Sequence, residues 1–140
     1  MSVFVVDASV GIKWFIPEVH TPDALRLRDP IHELHVPAFF DIETANILWK
    51  KIRRNELNRV DADAVIAQLS LLPLVRHADD RLLTAAFDLA DETERTVYDC
   101  LYLALAVQLQ EKMVTADLRL LNALAGTPWG GHVCAVQIVP

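Results

Sequence analysis

Five short runs punctuate the chain: SVFVV (2–6), ELHV (33–36), LVRHA (74–78), KMVTA (112–116) and VCAVQIV (133–139). Segments of helical length separate them, and this alternation constrains the fold more than any other feature. A strand that shows one face to water alternates polar and apolar residues, whereas these runs read as apolar on both faces. Such strands alternating with helices predict an α/β fold, with a parallel sheet covered by helices on both sides. Ligands of these sheets bind beyond the carboxyl ends of the strands. Asp7 ends the first run and Asp117 directly follows KMVTA, so both are expected at that edge.

The intervening helices have their own signals. SVGIKWFI (9–16) is stopped by Pro17. TPDALRLR (21–28) has Thr21 as cap and Pro22 at its first helical position. Residues 37–55 form a strong helix opened by Pro37, with Ile42, Ala45, Trp49 and Ile52 as its apolar stripe. DADAVIAQLSLL (61–72) and DRLLTAAFDLA (80–90) follow, and LRLLNALA (118–125) is stopped by Gly126. Between the last two lies the helix that begins at VYDCLYLALAV. Ten of the eleven residues from Val97 to Val107 are apolar or aromatic, and the exception is Asp99.

A chain of 140 residues suits one domain, 1–140, and is long enough to bury a core without disulfide or metal staples. No repeat, low-complexity segment or linker stands out. The longest apolar run, CLYLALAV, is too short to span a bilayer, and the N-terminus lacks the basic head of a secretory signal. Cys100 and Cys134 lack metal-ligand spacing and sit in apolar contexts, so buried thiols in a reducing cytoplasm are expected. The net charge of −6 argues against a general polyanion-binding surface. It does not exclude nucleic acid, because a metal ion supplies positive charge inside an acidic pocket.

Four acids draw attention, and each has a structural explanation. Asp7 stands at a strand–helix junction, where a cap is common, although Ser9 is placed to do that capping. Asp117 is a good N-cap for the helix after it. Thr96 and Asp99 fit a capping box. Glu43 lies beyond the first turn of its helix, on the flank of the stripe, and is the hardest to dismiss. Taken together, the four are expected to open onto one crevice if the sheet is built in this way. At ~5 Å and an effective dielectric of about 20, each like-charged pair costs about 3 kcal/mol before screening. A fold keeps such a cluster with protons or cations, and an all-oxygen donor set suits Mg²⁺ or Mn²⁺.

VVDASVGIKWFIPE, VPAFFDIETANILWK, RTVYDCLYLALA and MVTADLRLL, in this order and spacing, resemble the four characteristic blocks of PIN-domain proteins. The likeness is greatest to the VapC-type toxins of toxin–antitoxin pairs and covers essentially the whole chain. The resemblance implies a three-layer α/β/α fold with a five-stranded parallel sheet. It implies an Mg²⁺- or Mn²⁺-dependent endoribonuclease, homodimers, an RNA substrate and an antitoxin that blocks the site. Residue by residue it assigns catalysis to Asp7, Glu43, Asp99 and Asp117, metal to Asp7, Asp99 and Asp117, and support to Ser9 and Thr115. Two departures stand out: Cys100 occupies a position where alanine is usual, and no second acid follows Asp117 closely.

Lys50, Lys51, Arg53 and Arg54 suit the C-terminal end of a helix dipole and also read as RNA or antitoxin contacts. Lys13 and Arg119 lie near the acids in sequence; both read as solvated surface or as phosphate contacts. HELH (32–35) lacks metalloprotease spacing, so His32 and His35 are expected at a strand entry, and GTPWGGH (126–132) is not a phosphate-cradling loop. Trp14, Phe39 and Trp49 are expected in the core or a dimer interface. Rival readings are a Mg²⁺-binding phospho-acceptor domain, a catalytically silent binding module, and a nuclease of the same fold acting on DNA.

Overall fold

The computed structural model describes residues 2–140. Strands β1 (Ser2–Val6), β2 (His32–Pro37), β3 (Leu74–His77), β4 (Lys112–Thr115) and β5 (Val133–Ala135) form one sheet in the order β3-β2-β1-β4-β5. Every pairing is parallel. The helices are α1 (Ala8–Gly11), α2 (Thr21–Arg26), α3 (Phe39–Arg53), α4 (Arg59–Leu69), α5 (Leu83–Thr93), α6 (Val97–Leu109) and α7 (Leu118–Leu124). The chain builds outward from β1 to β3, then returns to add β4 and β5 on the other side. Right-handed crossovers therefore place α1–α4 on one face and α5–α7 on the other, giving three layers. The direction of winding reverses between β1 and β4, which opens a crevice beyond their carboxyl ends.

Burial follows from this layering. Val5, Val6, Val36, Met113 and Val114 are fully buried, as strands covered on both faces require. Helix α6 is buried continuously from Cys100 to Ala106, which explains its unbroken apolar sequence. A second cluster joins Ile12, just after α1, to Leu48 of α3 and to Ala62 and Val65 of α4. Both cysteines are free and buried. No helix among the described residues is long and apolar enough to cross a membrane.

Several local expectations are corrected. Pro37 closes β2 instead of opening α3, which starts at Phe39. The α3 N-terminus has no cap of its own; Asp79 Oδ1, forty positions along the chain, accepts the Phe39 N–H at 3.0 Å. The stripe is also different. Phe40, Thr44 and Leu48 face inward, while Ile42 is 67 % and Trp49 57 % exposed. The helix expected over 9–16 tightens after Gly11 into a 3₁₀ turn, Ile12–Trp14. The cap of α2 is His20, in the left-handed region, and Thr21 instead accepts the Glu18 N–H. The last strand stops at Ala135 and gives way to a 3₁₀ turn. His32 does open β2, as expected, whereas His35 lies within the strand; both are buried.

One close approach sets the position of α3 against α1. A Cβ at Gly11 would lie 2.6 Å from Cζ and 2.7 Å from Cε2 of Phe40, whose ring is fully buried. Gly11 has ordinary helical angles, so it is needed for space rather than for backbone freedom. Gly11→Ala gains about 1 kcal/mol of helix propensity but forces apart a packed contact worth about 1–3 kcal/mol. Net destabilisation by roughly 1–2 kcal/mol is expected, read as a lower denaturant midpoint at unchanged slope.

Candidate active site

The crevice is built first from the ends of β1 and β4. The Asp7 N–H donates to Val114 O at 3.1 Å, continuing the β1–β4 ladder one residue past β1. Asp7 opens α1, yet its carboxylate does not cap that helix. Instead Oδ2 accepts from Thr115 Oγ1 at 2.8 Å and from Ser9 Oγ at 2.9 Å. Ser9 Oγ also accepts the Ala116 N–H, and Thr115 Oγ1 the Asp117 N–H, each at 3.1 Å. Ser9 is thus a clamp on the acid rather than the helix cap. Thr115 is fully buried and Asp7 nearly so. Asp117 does cap α7: Oδ1 accepts from Arg119 N–H at 2.9 Å and Leu120 N–H at 3.4 Å.

The other two acids come from helices. Thr96 caps α6 by accepting the Asp99 N–H at 3.1 Å, so the capping half of the expected box is present. Asp99 lies in the first turn of α6, and Tyr102, one turn on, reaches across to donate to Glu43 Oε1 at 2.7 Å. Sequence reasoning passed over Tyr102 as one more apolar residue of a buried helix. Its spacing of three from Asp99 placed it on the site-facing side, but only the crossing of α3 and α6 brings Glu43 within reach.

The electrostatics link the four acids. Burial pushes the Asp7 carboxyl up to about 6 against the pull of the Thr115 and Ser9 hydroxyls, and the Asp99 charge adds to the rise. Burial, then repulsion from Asp7, lifts Glu43 to about 7; Asp99 adds to this while Tyr102 and Lys50 oppose it. Asp99 is raised by burial and by Asp117, against Thr96 and Arg95. Asp99 is therefore the hub, coupled to each of the other three. Burial and then the Asp7 and Glu43 charges hold the Tyr102 phenol well above its usual range, so its hydroxyl stays protonated and donates.

Oxygen donors whose ionisation is suppressed by burial and mutual repulsion fit a hard divalent cation, which would relieve both penalties. The side chains stand in a looser arrangement than a closed coordination shell. Among the described residues, no group of three or more His, Cys, Asp or Glu is drawn together tightly enough to hold a metal ion.

The basic residues divide into two groups. Lys13 is not solvated: it is 8 % exposed and pairs with Glu18 at 3.3 Å. Lys51 pairs with the same Glu18 at 2.8 Å. Lys50 and Arg54 are exposed and join these two lysines along a cleft that reaches Ser9 and Ala116. Arg53 and Arg119 are exposed and stand outside that cleft.

Comparison with known proteins identifies this architecture. The family model described as PIN domain matches residues 4–126. A ribonuclease VapC3 of Pyrobaculum aerophilum is 36 % identical over 118 residues, 83 % of this chain and 90 % of that protein. A ribonuclease VapC3 of Mycobacterium tuberculosis is 32 % identical over 119 residues, 85 % of each chain. Among solved structures, a Pyrobaculum aerophilum protein superposes with a TM-score of 0.70 at 23 % identity, covering 97 % of this chain and 85 % of that one. The Mycobacterium tuberculosis toxin VapC20, described as cleaving the sarcin–ricin loop, gives a TM-score of 0.65 at 19 % identity, covering 84 % and 91 %. A toxin–antitoxin complex from Klebsiella pneumoniae gives 0.60 at 14 % identity, covering 97 % and 98 %. With the acids at the β1–β4 switch point and these matches along most of its length, the chain belongs to the PIN-domain family, among its VapC-type members.

Proposed function

We propose that this protein is a divalent-metal-dependent endoribonuclease, the toxin of a toxin–antitoxin pair, with residues 1–140 acting as one PIN-like nuclease unit. The observation that carries this reading is geometric: Asp7 and Asp117 follow the ends of β1 and β4 at the switch point, and Tyr102, one turn on from Asp99, donates to Glu43 of α3. The relatives named as ribonucleases and the toxin–antitoxin neighbour support it. The phospho-acceptor alternative has no such support, and a silent binding module has no need of one buried and three half-buried acids at one crevice. We further propose a cytoplasmic homodimer, with RNA and a cognate antitoxin as partners.

Asp7, Asp99 and Asp117 would hold the ion, Mg²⁺ or Mn²⁺, with Glu43 alongside. When bound, the ion supplies Lewis acidity at the phosphate and makes water a better nucleophile. The chain's own residues do the rest. Ser9 and Thr115 fix Oδ2 of Asp7, which sets the direction of its other oxygen. The Tyr102 hydroxyl fixes Oε1 of Glu43 and leaves Oε2 as the available acceptor. A carboxyl poised near 7 is matched to taking a proton from water and returning it to a leaving oxygen at neutral pH. Lys50 and Arg54, in the cleft that reaches Ser9 and Ala116, offset phosphate charge along the RNA backbone.

Asp99→Asn and Asp7→Asn are expected to slow RNA cleavage about a hundredfold or more in Mn²⁺ buffer while far-UV circular dichroism stays unchanged. Cleavage at the wild-type rate by either variant would remove the site assignment.

The raised acids also set the pH dependence of stability. A carboxyl lifted in the folded state keeps its proton there after the unfolded chain has lost its own. The native state then holds more protons between about pH 4 and pH 7, so stability falls as pH rises through that window. In metal-free buffer the unfolding free energy is expected to drop across it by on the order of a few kcal/mol. Glu43→Gln, which still accepts the Tyr102 hydroxyl, is expected to flatten the drop and raise stability at the alkaline end.

Millimolar Mn²⁺ at neutral pH is expected to raise the melting temperature of the wild type, because the ion binds only the folded state. A melting curve indifferent to Mn²⁺ would sink the metal site.

A further inference from the structure

Tyr98 immediately precedes Asp99, yet its ring stays outside the core and is 59 % exposed. It lies flat on Phe39 of α3, with ring centroids 5.1 Å apart and planes inclined by 12°. Phe39 packs against the core and its N–H is held by Asp79. The lower ring is therefore fixed, and the upper one faces outward. Phe39, Ile42, Glu43, Asn46 and Lys50 share one stripe of α3, and with Tyr98 they line a half-open hollow of about 440 Å³. This stripe is where Ile42 goes instead of into the core. Glu43, one of the four acids, is among the residues that line the hollow. Lys50, the last residue of the stripe, has no ion-pair partner among the described residues.

An aromatic face, an amide that both donates and accepts, and an unpaired cation along one stripe match the three parts of a nucleotide. The base stacks on the ring, its edge meets Asn46, and its phosphate meets Lys50. We propose that the Phe39–Tyr98 stack is a base-stacking platform that seats one unpaired nucleotide of the substrate beside Glu43 and Asp99. This rests on the ribonuclease reading above and narrows the substrate class. Bases within an A-form duplex are already stacked on their neighbours, so only a single-stranded or looped segment can lay a base on Tyr98. Charge favours RNA over a second protein surface here, because the Lys50 end of the hollow continues into the cleft lined by Lys13, Lys51 and Arg54.

The test uses the full chain in chelator, so that RNA is bound and not cut. A short unstructured ribo-oligonucleotide carries a fluorescent aminopurine base, walked along its length. With wild type and Tyr98→Phe, quenching by stacking is expected at one register. With Tyr98→Leu, that quenching is expected to vanish and affinity to weaken roughly tenfold, at unchanged melting temperature and sedimentation. A perfect duplex of the same sequence is expected to bind all three proteins weakly and alike. Full quenching and affinity in Tyr98→Leu would overturn the platform. So would a changed oligomeric state with unchanged RNA affinity, which would assign the rings to a contact between copies of the chain. Wild type that cuts RNA with Mn²⁺ but quenches at no register sinks the platform alone. Wild type that neither binds nor cuts RNA sinks the ribonuclease reading, and the platform with it.

Discussion

The site depends on one carboxylate oxygen. Asp7 Oδ2 takes hydroxyl bonds from Ser9, on the helix that leaves β1, and from Thr115, the last residue of β4. These are the two strands between which the winding of the sheet reverses. An acid buried there without partners would be strongly disfavoured, and two donated hydroxyls offset part of that cost. The same hydroxyls hold backbone N–H groups of Ala116 and Asp117. One small network therefore positions Asp7 and the start of the segment bearing Asp117 together. Losing either hydroxyl would loosen both acids.

Against this latch stands α6, a helix with an apolar body and a charged head. Burial from Cys100 to Ala106 fixes its axis, and the Thr96 cap fixes its first turn. Asp99 cannot relieve its repulsion with Asp7, Glu43 and Asp117 by moving the helix, because any such shift would expose core side chains. Each buried aliphatic residue is worth about 1.5–3 kcal/mol, and several act in concert, so packing outweighs one like-charge pair. Relief is left to side-chain rotation, protonation or a cation. The hydroxyl of Tyr102, on that helix, ties the arrangement to α3.

Much of this was legible in the sequence, and the failures share a cause. Strand ends and helix starts are local properties, so SVFVV followed by Asp7, and Thr96 followed three residues later by Asp99, could be read directly. The inward face of α3 could not. Its apolar residues satisfy helical spacing along two stripes, through Phe40, Thr44 and Leu48 and through Ile42, Ala45 and Trp49. The space left by Gly11 admits the Phe40 ring and so favours the first. The Asp79 cap of α3 and the Tyr102–Glu43 bond join segments 40 and 59 positions apart, and no window along the chain contains both partners. The burial of Lys13, against its solvated reading, is hidden for the same reason: Glu18 is near in sequence, but Lys51, which shares it, is not.

The contact between Gly11 and Phe40 reaches further than packing. Gly11 stands four residues after Asp7, and Phe40 three before Glu43, so their separation acts as a spacer between two of the acids. Enlarging one partner while trimming the other would keep the volume constant yet tilt α3 about its own start. Relatives of this chain with different bulk at these two places would hold the same acids at altered distances, a way for descent to retune the crevice without touching any residue inside it.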